Sequence, residues 1–202
     1  MERIAEETAA AGIWVTPTLV VLDYNKRQNS DEFYTLIERP EMRYLSPRTR
    51  NSWINNNQYR RPPLMQPMQF AIWQTYTGLM SQLVGKLNDA NVPLLAGSDA
   101  TGPHGVLPGS SLHEELSLLV QAGLTPYEAL RTATVNPATY LEAEQDFGTI
   151  APGLLANLLL LTGNPLDDID QVRTRVGVMR RGRWFPADEL ESVLERLAEE
   201  RK

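Results

Sequence analysis

The sequence predicts an α/β protein, and three observations carry that reading. Apolar, β-branched runs at 13–21 and 92–96 have the composition of buried strands. Stretches with helical spacing flank both runs, giving helix, strand, helix, strand, helix in the order of a parallel α/β arrangement. The second run ends in Gly97-Ser98-Asp99. That ending sets a carboxylate just past the C-terminal end of a strand, the edge where barrels and doubly wound sheets carry their catalytic groups.

Taken in order, Met1, Ile4, Ala5, Thr8 and Ala11 recur at helical spacing, and Gly12 suits the helix end. Ile13 to Val21 reads as a buried strand with Pro17 near its middle. A chain that starts in a helix with no strand before it reads as a piece of a larger fold. Residues 22–65 form a long polar insertion, with short helices expected at about 31–38 and 47–54. Between Lys26 and Arg61 it holds eight basic residues against four acidic ones, a local reversal in a chain of net charge −6. A solvated surface with scattered arginines is one reading. The other is a lid over the catalytic face that favours an anionic or carboxylate-bearing substrate.

Residues 66–89 predict a strong amphipathic helix, with Met68, Ile72, Tyr76, Leu79, Leu83 and Leu87 as a stripe for core packing. Ser111-Leu112-His113-Glu114 has a capping-box pattern that opens a helix to about Ala122, before Gly123. Thr125-Pro126-Tyr127-Glu128 is a second capping box, and Asn136-Pro137 starts a third helix ending near Glu144. Beyond Gln145 the pattern changes to a turn at 148–153, an apolar strand from Leu158 to Leu161 and a hairpin around Arg181-Gly182. From Pro186 the tail is an amphipathic helix with Leu190, Val193, Leu194 and Leu197 on one face.

Composition narrows the function classes. With 202 residues and 42% hydrophobic content, the chain can bury a sizeable core. Its negative charge argues against general binding to nucleic acid or an anionic membrane. No run approaches the roughly 18 apolar residues of a membrane span. With no cysteine there are no disulfides, thiolate ligands or cysteine nucleophile. No signal peptide is visible, although a truncated start would hide one, so the cytoplasm is only a default assignment.

Few residues can carry chemistry. Asp99 could simply cap or turn the chain, or it could act at a strand end. His104 lies in a loop with glycines and a proline, which positions a ligand poorly, so contact with a substrate is the better functional reading. His113 falls in the first turn of its helix, where the dipole favours neutral imidazole. It could touch substrate or make a structural hydrogen bond. The absence of a Gly-x-Ser-x-Gly elbow argues against a Ser-His-Asp triad.

The segment from Val92 to Ala100 with Ser111-Leu112-His113-Glu114-Glu115-Leu116 resembles the last barrel strand and helix of the amidohydrolase superfamily. The imidazolonepropionase-like and Xaa-Pro-dipeptidase-like members are the most similar. Further matches are Ala11 to Leu19, Arg39 to Leu45 with Trp53, Ala122 to Pro126, Glu128 to Leu130, Ala133-Thr134 and Asn136 to Ala138. The resemblance implies the C-terminal part of a (β/α)8 TIM-like barrel, its last two strand–helix units, followed by part of a small β-sandwich and a terminal helix. The implied division is a partial barrel at 1–144 with the insertion at 22–65, a partial sandwich at 145–185 and a C-terminal helix at 186–202.

The same resemblance implies hydrolysis of a C–N bond in an amide, cyclic amide or dipeptide, with a divalent metal, zinc, activating water. It gives Asp99 the roles of metal ligand and proton acceptor, and it places a common family histidine at His113. Leu154, Asn157 and Thr162 depart from the family's usual lysine, aspartate and aspartate. The family's other ligands are missing: there is no His-x-His, no His-Glu-x-x-His and no bridging lysine, and a catalytic zinc needs three protein ligands. The chain is therefore expected to be inactive alone and to hold zinc weakly. Its partner would be a small amide or dipeptide, with self-association expected from unpaired strand edges. A non-catalytic remnant or interaction module of the same fold is the alternative.

Overall fold

The structure is a computed structural model that describes residues 1–100 and 105–201. Helices dominate it: α1 (Glu2–Ala10), α2 (Leu19–Arg27), α3 (Glu32–Ile37), α4 (Pro47–Asn55), α5 (Gln66–Asp89), α6 (Ser110–Gln121), α7 (Pro126–Thr132), α8 (Val135–Tyr140) and α9 (Ala187–Glu200). The strands β1 (Leu158–Leu161), β2 (Arg175–Arg180) and β3 (Arg183–Pro186) form an antiparallel sheet in that order.

The two expected strands are largely absent. Only the parallel bridge between Val15 and Leu94 remains of them. The Val15 amide donates to the Pro93 carbonyl at 3.0 Å, and the Leu95 amide donates to the Val15 carbonyl at 2.9 Å. Pro17 and Pro93 supply no donor to a longer ladder. The other edge of the second segment is closed by helix ends. Ala96 N–H donates to the Thr132 carbonyl at 2.9 Å, and the Asn136 side chain donates to the Leu94 carbonyl at 2.8 Å. The apolar run Leu19-Val20-Val21, expected as strand, opens α2 instead, because Thr18 turns the backbone left-handed at φ 49°.

The core joins these pieces. Ala5, Leu19, Val84, Leu87, Val92, Leu94, Leu116, Leu119, Leu124 and Ala129 form one buried cluster. Ile169 and Val172, from a 3₁₀ turn at Ile169–Arg173, belong to it too, which ties the C-terminal sheet region to the helices. A smaller cluster of Val20, Tyr24, Leu36 and Val106 seats the insertion on α2.

Most other helices follow their sequence signals. Ser46 caps α4 by accepting from the Thr49 amide at 3.1 Å. Thr125 and Glu128 complete the α7 capping box from both sides. The hairpin turn carries positive φ at both Arg181 and Gly182, the geometry of a two-residue type I′ connection.

Three expectations need correction. The N-terminal part of the α5 stripe is not core: Met68 and Ile72 are 56% and 52% exposed, while Leu87 further along is buried. The α6 capping box does not form. Gly109 is the N-cap, the Ser111 hydroxyl bonds back to the Leu107 carbonyl at 2.6 Å, and Glu114 is engaged elsewhere. α8 stops at Tyr140 rather than near Glu144, with Glu142 at φ 54° beyond its end.

Candidate functional site

The site is built where the two bridged segments end. Gly97 brings them together: a Cβ there would stand 2.6 Å from the Thr16 methyl and 3.8 Å from that of Thr18. Thr18 and Asp99, just past this contact, both hold positive φ, at 49° and 47°. Aspartate tolerates that conformation, whereas a β-branched threonine is strained in it. Such strain clusters where a fold aims a group, which makes this junction a candidate for function. Asp99 is exposed at the tip.

α6 starts at Ser110, and the three titratable side chains of its first two turns, His113, Glu114 and Glu115, stand in different settings. Glu115 is fully buried and accepts the Val20 amide at 2.8 Å, at the first turn of α2. Its second oxygen has no hydrogen-bond partner among the described residues. Burial pushes its carboxyl up to about 7, against the opposing pull of the Val20 and Leu19 amides.

Glu114 faces the insertion. It accepts from the Tyr24 hydroxyl at 2.7 Å and from Arg39 at 3.0 Å. Arg39 also donates to the Tyr24 hydroxyl, to the Gly105 carbonyl at 2.6 Å and to the Leu36 carbonyl at 3.2 Å. Burial raises the Tyr24 hydroxyl, with Arg39 acting against that and Glu114 adding to it. Arg39, expected as part of a substrate-facing lid, is thus bound to α2, α3, α6 and Gly105. Arg43 pairs with Glu195 of α9 at 3.4 Å. Arg48 is exposed.

His113 is half-buried and lines a cleft of about 710 Å³ with Arg173 and Arg175. Burial lowers its pKa first, and the two guanidinium groups lower it further. The helix dipole predicted the same neutral imidazole, but the cause lies in the cleft. His104 lies outside the described residues. No polar contact joins His113 to Asp99 among the described residues. The sequence reading missed Glu115 and the Arg39–Glu114–Tyr24 cluster. A signal for Glu115 was present: it falls between Ser111 and Leu119, four residues from each, on the face of α6 that is buried.

Among the described residues no three histidine, aspartate or glutamate side chains gather as a metal site. The described donors around Asp99 therefore do not fit a bound metal.

A model of the amidohydrolase family matches residues 1–185. The chain belongs to the amidohydrolase family. An adenine deaminase of Moorella thermoacetica is 29% identical over 110 residues, 54% of this chain and 18% of that protein. Bottromycin amidohydrolase superposes with a TM-score of 0.71 at 20% identity, over 93% of this chain and 40% of that one. A Xaa-Pro dipeptidase crystallised with methionine in its active site gives a TM-score of 0.61 at 20% identity, over 87% of this chain and 35% of that one. At these identities the two structures show a shared α/β amidohydrolase-like fold. The chain spans less than a fifth of the curated relative's length and about two fifths or less of either solved structure. No described helix is long and apolar enough to cross a membrane.

Proposed function

We propose that this chain is the C-terminal portion of a hydrolase that cleaves a C–N bond in an amide, cyclic amide or dipeptide, with Asp99 as its strand-end catalytic carboxylate. The observation that carries the reading is the position of Asp99, left-handed and exposed directly after the segment bridged to Val15, inside the stretch that matches the family. Its carboxylate would accept a proton from the attacking water, a general-base role. The last two strand–helix units of a barrel, the insertion at 22–65, the partial sandwich at 145–185 and the helix at 186–202 belong to the same proposal.

Family likeness carries an expectation of a divalent ion, zinc, that lowers the pKa of bound water. This chain's described residues do not assemble its site, so no step through the ion follows from them. His104 and His113 are the proposed substrate contacts. A small-molecule partner fits the reading better than nucleic acid or membrane, and a cytoplasmic location is its default.

The second reading is a non-catalytic module of the same fold, and the lack of three gathered candidate metal ligands among the described residues is common to both readings. The complete enzyme, assayed on a Xaa-Pro dipeptide, a cyclic amide and adenine, separates the two. Hydrolysis of at least one, with release of an amine, amino acid or ammonia, is expected. No turnover of any of them would favour the module. The 202-residue chain alone is expected to show no turnover and only weak zinc binding.

A further inference from the structure

The cleft beside His113 has its own chemistry. It opens between a 3₁₀ turn of the insertion (Pro40–Tyr44), the start of α6, the entry to β2 and the inner face of α9. Its volume, about 710 Å³, falls in the range of small-molecule sites. We propose that this cleft binds a small monocarboxylate with an aliphatic body. The cleft shares His113 with the proposed substrate contacts of the hydrolytic reading but not Asp99, and binding here is measured without turnover.

One end of the cleft is cationic. Arg175 is half-buried and has no acidic partner among the described residues. Arg173 is held in place by Asp170, whose carboxylate accepts from Arg173 at 3.3 Å and from the Ser117 hydroxyl of α6 at 2.7 Å. That contact uses the Nε of Arg173, whose side chain lines the cleft and is otherwise partly exposed. A planar guanidinium pair suits a carboxylate, which takes two parallel N–H donors from one arginine. Burial lowers the pKa of His113, and the two arginines add to that against the opposing pull of Glu114 and Asp170. The Ser110 hydroxyl, also at the cleft, is buried with no partner among the described residues and offers one further donor.

The remaining wall is aliphatic. Leu107 and Leu45 line it from the loops, and Leu194 and Leu197 from α9. Burying an aliphatic body against these side chains removes apolar surface from water. Glu41 also lines the cleft, and its charge disfavours a dianion relative to a singly charged ligand. An anionic head, an apolar body and a single charge together define the ligand class.

Titration of the 202-residue chain with hexanoate by calorimetry tests the proposal, with hexanol and inorganic phosphate as comparators. Saturable hexanoate binding at one site per chain is expected, with no comparable binding of either comparator. Arg175→Gln should weaken the affinity at least tenfold. Leu194→Trp, which keeps both arginines but fills the apolar end, should abolish binding. Arg180→Gln, an exposed arginine absent from the cleft, should leave the affinity unchanged. If Arg175→Gln fails to fold, Arg173→Gln gives the same readout. Absent saturation, equal binding of hexanol or phosphate, or an affinity insensitive to the arginines would each overturn the proposal.

Discussion

The Glu115 carboxylate lies between α6 and the first turn of α2, with one oxygen on the Val20 amide and the other unmatched among the described residues. Its folded-state pKa is raised to about 7 from an ordinary value near 4.5. Between those values the folded chain keeps a proton that the unfolded chain releases. Stability should therefore fall as pH rises from about 4.5 to about 7 and level off above. The shift corresponds to a loss on the order of 3 kcal/mol from this group. Urea unfolding of the wild type and of Glu115→Gln at pH 5 and pH 8 checks this. The stability difference between them should change in the glutamine variant's favour at the higher pH, and a constant difference would refute it. Arg39 makes a different case, because it and Glu114 are partly buried beside the buried Tyr24. Arg39→Met leaves Glu114 charged and with only the Tyr24 hydroxyl, and a loss of about 1–3 kcal/mol is expected in the same unfolding measurement.

Among the elements, α7 is the one whose cap can be tested cleanly. Thr125→Ala removes the hydroxyl that accepts the Glu128 amide, and a loss of about 1 kcal/mol by thermal unfolding is expected. This cap was legible in the sequence, as were α5, the α4 start at Ser46 and the hairpin at Arg181-Gly182. Each rests on local chemistry: a periodic stripe, a side-chain cap, or a turn with two positive φ angles. α2 was not legible, because Leu19-Val20-Val21 has strand composition and short apolar runs are ambiguous between strand and helix. What decides it is the left-handed turn at Thr18 and the buried Glu115 that receives the new helix end, and neither is a local signal. The same long-range pairing explains why the α6 capping box failed, since Glu114 serves Arg39 and Tyr24 instead. At the candidate site, the place of Asp99 just after an apolar run was legible, and its role is the proposal made above. The Arg173–Arg175–His113 grouping was not, because it joins α6 to residues sixty positions downstream.

At the scale of the whole molecule, large apolar groups stand uncovered. Met68, Ile72, Tyr76 and Leu79 are exposed along one face of α5, and Leu159 and Leu160 are exposed on the edge strand β1. Contiguous surfaces of this kind associate. Light scattering coupled to size exclusion should show oligomers of the 202-residue chain, and Ile72→Glu with Leu79→Glu should shift it toward monomer. A clean monomer with a cooperative melt would count against the reading of the chain as part of a larger fold. The central claim is that Asp99 is the catalytic carboxylate of a C–N hydrolase. It is tested most directly by kcat of the complete enzyme carrying Asp99→Asn, which keeps the size of the side chain and removes its charge and most of its basicity. A fall on the order of 10²–10⁴-fold in kcat is predicted, with the fold intact by circular dichroism. A folded Asp99→Asn enzyme with wild-type kcat would contradict the account.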